Sequence, residues 1–119
     1  MYLKRSDFYV DPRLELGVIR ETIQKQYPNG NYTESVGSST VEWAIQTYNT
    51  LSSPPNDDFF NIIGWHELEE KLSKKDIKAE LTTVYIQYKE SGRSKTLFFN
   101  EGGDEFLGEI TIEKKENIN

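Results

Sequence analysis

Apolar positions along this chain change period about two-thirds of the way through, and the change divides a helical region from a stranded one. Residues 1–10 carry Tyr2, Leu3, Phe8, Tyr9 and Val10 around a polar middle and read as a short strand or loop. Asp11-Pro12 then opens a helix over 12–27: the aspartate accepts from free backbone N–H groups, and proline at the first helical position has no N–H to lose. Leu14, Val18, Ile19 and Ile23 line one face of that helix, and Tyr27-Pro28-Asn29-Gly30 stops it. Asn31 to Gly37 alternates as a strand or an extended connection. Ser39-Thr40-Val41-Glu42 has the spacing of a capping box, with Ser39 as the cap. Behind it Val41, Ala44, Ile45, Tyr48 and Leu51 recur at helical spacing, predicting a helix over 40–51. Val41, Trp43 and Ile45 also alternate, but the length of the run and the Ser52-Ser53-Pro54-Pro55 stop favour helix over strand.

Ser52 to Asp58 reads as a surface loop, and Phe59-Phe60-Asn61-Ile62-Ile63 as an apolar knot that must be buried. Trp65, Leu68 and Leu72 mark a helix over 65–74, with acids early and lysines late, as the helix dipole favours. The period then falls to two, predicting strands over 82–89, 95–100 and 106–113, with Phe106, Gly108, Ile110 and Ile112 sharing one face of the last. Turns at 90–93 and 101–104 join them into an antiparallel meander. The expected fold is α+β: one domain over 1–119, a meander of three or more strands packed against about three helices. Phe59, Phe60, Phe98, Phe99 and Phe106 are expected in its core.

Composition narrows the chemistry. The 119 residues hold no cysteine, so a disulfide framework, a thiolate nucleophile and a zinc knuckle are excluded. The net charge of −6 argues against nonspecific nucleic-acid binding, which draws its affinity from a basic surface. No uninterrupted apolar stretch is long enough for a bilayer, and the opening residues lack the apolar run of a secretion signal. A cytoplasmic location is expected, with no membrane partner.

Gly102-Gly103-Asp104-Glu105-Phe106 spells the pentapeptide for which the diguanylate cyclase domain is named, and it resembles that family in lying on a turn between two strands. The resemblance covers these five residues. It would imply glycines that make room for a nucleotide and an acid that helps bind magnesium. The family also needs a second metal-binding acid in an upstream Asp-x-Asp-x-Phe-Lys strand, and no segment before Asn100 has it. Two magnesium ions need several converging carboxylates. The pentapeptide is therefore read as a glycine turn flanked by solvated acids.

His66-Glu67-Leu68-Glu69-Glu70 lacks the second histidine of a metalloprotease helix, because Glu70 occupies that position and His66 is the only histidine. It is expected near a helix start, partly exposed. No Gly-x-Ser-x-Gly elbow and no phosphate-cradling loop is present, so no catalytic, metal or cofactor residue is assigned.

What remains is a surface for binding. If Val41, Ala44, Ile45 and Tyr48 face inward, Trp43 points partly away, at about 100° per residue around the helix, and such a ring is an anchor for a partner. The expected function is capture of another protein with a basic surface, in the manner of an inhibitor or immunity protein that neutralises a toxin, nuclease or host-defence factor. The expected contacts are Trp43, the acids Asp57 and Asp58, and Glu101, Asp104 and Glu105 at the second turn. The competing expectation is a small-molecule or nucleotide-binding domain with a carboxylate-based site between sheet and helices. A structural subunit of a larger assembly is a third, and would expose an extensive apolar surface.

Overall fold

The computed structural model describes residues 16–26, 32–88 and 92–115, so expectations for residues 1–15 lie outside it. The elements are α1 (Leu16–Gln26), β1 (Tyr32–Thr40), α2 (Val41–Leu51), α3 (Asn56–Phe59), β2 (Phe60–Ile63), α4 (Trp65–Leu72), β3 (Glu80–Tyr88), β4 (Ser94–Asn100) and β5 (Phe106–Lys114). Among the described residues five strands form one antiparallel sheet in the order β1-β3-β4-β5-β2. The expected meander is its centre, and the two outer strands come from earlier in the chain.

Helices lie on both faces. On one, Ile19 and Ile23 of α1 pack among Val84 and Ile86 of β3 and Leu97 and Phe99 of β4. On the other, Val41 and Ala44 of α2 and Trp65, Leu68 and Leu72 of α4 meet Leu81, Phe98, Leu107 and Ile110. Strand alternation accounts for this division: Leu97, Phe98 and Phe99 point to opposite faces in turn, and both faces are covered. Tyr48 and Trp65 stack with ring centroids 4.1 Å apart, joining α2 to α4. The Trp65 indole N–H donates to the Glu69 carboxylate at 2.9 Å, so the buried ring leaves no polar atom unpaired.

Several expectations need correction. The cap of α2 is Thr40, whose hydroxyl accepts from the Trp43 N–H at 3.1 Å. Ser39 still belongs to β1, so the capping box is one residue out of register. Residues 56–59 form the single turn α3, not loop, and Asp57 and Asp58 sit in it. The apolar knot is only partly buried: Phe59, which ends α3, is 53% exposed, and Ile63 is 52% exposed on β2, which lies at the edge of the sheet among the described strands and alternates between the faces. Phe59 is thus no core residue. The last strand does not keep one apolar face either. A bulge opposite Phe98 and Phe99 lets Leu107 and Gly108 both fall against β4's Phe98 side, while Phe106 tilts onto Phe99 on the other face, at 5.4 Å. Gly108 lies close under α4, where a Cβ would stand 3.2 Å from Leu68 Cδ1, so a side chain there would press on Leu68.

Candidate protein-binding site

The signature pentapeptide is the tight turn between β4 and β5. Asn100 builds it: the Asn100 side-chain oxygen accepts from the N–H groups of Asp104 and Glu105 at 3.0 and 3.1 Å, and the Asn100 carbonyl accepts from the Gly103 N–H at 3.0 Å. Gly103 takes φ 76°, the left-handed region that suits a glycine. The Asn100 amide donates to the Asp104 carboxylate, and the Thr82 hydroxyl to the Glu101 carbonyl at 2.9 Å. Asp104 is therefore occupied in shaping its own turn. Among the described residues, no three His, Asp or Glu side chains gather where they could hold a metal ion. His66 is exposed in the first turn of α4.

Strand register places the other acids. Thr40 pairs with Glu80, and Leu81 with Asn100, so the start of α2, the start of β3 and the β4–β5 turn share one end of the sheet. The N–H groups of Val41 and Glu42 donate to the carbonyls of Ala79 and Ile77, both at 3.1 Å, and tie the loop after α4 to the same end. Glu42, Asp76, Glu80, Glu101, Asp104 and Glu105 belong to the segments at this end, as do Lys74, Lys75 and Lys78. Asp57 and Asp58 do not join them. Phe60 pairs with Lys114 at the far end of β5, about 27 Å away by strand rise. There the Lys115 ammonium donates to the Asp57 backbone carbonyl at 2.6 Å, which sets a basic side chain in the same turn as the two aspartates.

Trp43 stands in the first turn of α2, 52% exposed, at the rim of a groove between that helix and the sheet. Trp43, Thr47 and Leu51 form the helix side, each four residues after the last. Phe98, Ile110 and Ile112 form the floor, Ile62 adds the β2 side, and the cavity measures about 50 Å³. No lining residue is charged. The floor continues onto open sheet: Ser35, Tyr85, Thr96 and Ile110 lie side by side on β1, β3, β4 and β5, with Tyr85 42% exposed. On this face β1, β3 and β4 present only uncharged side chains, in a chain of which 29% is charged.

The structure thus brings Trp43 and the 101–105 acids to one end, and separates Asp57 and Asp58 from them. Sequence reasoning missed the groove, along with Glu42, Asp76 and Glu80. The four-residue spacing of Trp43, Thr47 and Leu51, a second stripe beside Ala44 and Tyr48, was the available signal for the groove's helix wall. No helix among the described residues is long and apolar enough to cross a membrane. Set against known protein families, curated proteins and solved structures, the chain matches none of them.

Proposed function

We propose that this chain is a protein-binding module that captures a partner with a basic surface, in the manner of an inhibitor or immunity protein. The observation that carries the reading is the half-exposed Trp43 at the rim of an uncharged groove, beside the end of the sheet where Glu101, Asp104 and Glu105 gather. Protein interfaces have this composition: charge is depleted and aromatic rings enriched at the centre, with polar groups around the rim. The acids at the rim would speed encounter with a basic partner and reject acidic ones. The absence of cysteine suits a meeting in the reducing cytoplasm.

The test uses the chain as bait in lysate of its source, with a photo-crosslinker at Tyr85. One protein should be crosslinked by the wild type and lost with Trp43→Ala. Its capture should weaken, and depend less on salt, with Glu101→Gln and Glu105→Gln together. Asp57→Asn with Asp58→Asn should leave capture unchanged. Equal recovery by the wild type and Trp43→Ala would overturn the reading.

A further inference from the structure

The groove along α2 narrows what the partner presents. We infer that it receives a single aliphatic side chain from a segment of the partner in which lysines or arginines flank that residue, an inference that rests on the protein-binding reading above. Three observations carry it.

The first is size. At about 50 Å³, the cavity is roughly a third of one that takes a benzene ring. It falls well below the few hundred Å³ of pockets that enclose drug-sized ligands. That space takes the methyl end of one branched aliphatic side chain, whereas a nucleotide does not fit it.

The second is chemistry. Leu51, Ile62, Ile110 and Ile112 supply methyl groups from three elements, and the only hydroxyls in the lining besides that of Tyr48 belong to Thr47 and Thr96. These hydroxyls and the Trp43 indole N–H are few against the methyl groups and no lining residue is charged, so a charged insert would lose its hydration without a counter-charge and an apolar one is favoured.

The third is charge. The groove ends at Trp43 in the first turn of α2, where Glu42 lies next in sequence and the Glu101–Glu105 turn lies on the same end of the sheet. A chain leaving the groove past Trp43 would pass segments that carry the six carboxylates of Glu42, Asp76, Glu80, Glu101, Asp104 and Glu105 against three lysines, Lys74, Lys75 and Lys78, so that end keeps a negative balance. Basic residues beside the anchor then meet opposite charge, while acidic ones meet like charge.

The experiment uses defined peptides and the full chain. Acetylated seven-residue peptides, Ser-Lys-Gly-X-Gly-Lys-Ser with X as Leu, Ile, Phe, Ser or Glu, are titrated into methyl-labelled protein and followed by NMR. Peptides with Leu or Ile at X should shift the methyl signals of Leu51, Ile62, Ile110 and Ile112 saturably. Those with Ser or Glu should bind at least tenfold more weakly. Thr47→Leu, a helix-compatible change that fills the groove, should remove the Leu/Ile preference while leaving the amide spectrum otherwise intact.

Equal binding of all X, with shifts confined to the 101–105 amides, would overturn the groove inference and leave the basic-partner reading standing. Equal binding of a leucine peptide whose lysines are replaced by serine would do the reverse. Methyl signals that no peptide moves up to the solubility limit would overturn both halves of the inference.

Discussion

Gly64 shows how one residue sets the placement of a whole helix. It precedes α4 with φ 96°, and a Cβ there would stand 2.4 Å from the Glu109 carbonyl oxygen, which is backbone and cannot step aside. Gly64→Ala should therefore cost about 2 kcal/mol or more, read as a lower urea midpoint at unchanged slope. Thr40 acts through a single hydrogen bond. Thr40→Ala should cost about 1 kcal/mol, and Ser39→Ala clearly less, because only the Thr40 hydroxyl accepts from Trp43 N–H. Thermal unfolding of the two variants distinguishes the observed cap from the one the sequence spacing suggests. Trp43→Ala should change stability by less than about 1 kcal/mol, since half of the ring is already in water, while abolishing partner capture. A Trp43→Ala protein that unfolds much more easily would mark the ring as part of the core.

At the level of elements, legibility followed the strength of the local signal. α2, α4 and the three meander strands were readable because each carries several turns or pleats of consistent pattern and a stop in the sequence. β2 was not. Four residues are too few for a period, and Phe59-Phe60-Asn61-Ile62-Ile63 looks like core whichever element it forms. The exposure of Ile63 goes with the strand's place at the edge of the sheet among the described strands, a tertiary fact. The β5 bulge was invisible for a related reason: alternation predicts Phe106 and Ile110 on one face, whereas the register shift opposite Phe98 and Phe99 changes the strand's phase between them. Likewise the candidate site was legible as residues but not as an arrangement. Trp43 and the 101–105 acids could be named, whereas their shared end of the sheet depends on the pairing of Leu81 with Asn100. The contact between α2 and α4 gives a prediction at this scale. Trp65→Ala removes the ring stacked on Tyr48 and should cost about 4 kcal/mol. Because Tyr48 also lines the groove, leucine-peptide binding should fall with it, even at temperatures where the variant stays folded.

Over the whole molecule, the sheet order has a consequence for how the chain reaches this state. β3, β4 and β5 are joined by short connections and pair with their neighbours in sequence, so closing them costs little chain entropy. The outer strands are different: Tyr32 pairs with Tyr88, and Phe60 with Lys114, each pair joined by a long stretch of chain that holds several other elements. The hairpins should therefore form the folding nucleus, with the flanking strands zipping on afterwards. Leu97→Ala in the central strand should slow refolding, whereas Val36→Ala in β1 should chiefly speed unfolding, as stopped-flow chevrons would show. Amide exchange should retreat from both flanks toward β4 as denaturant rises. The floor of the groove, built on β4 and β5, would then be in place before β2 and α2 close around it.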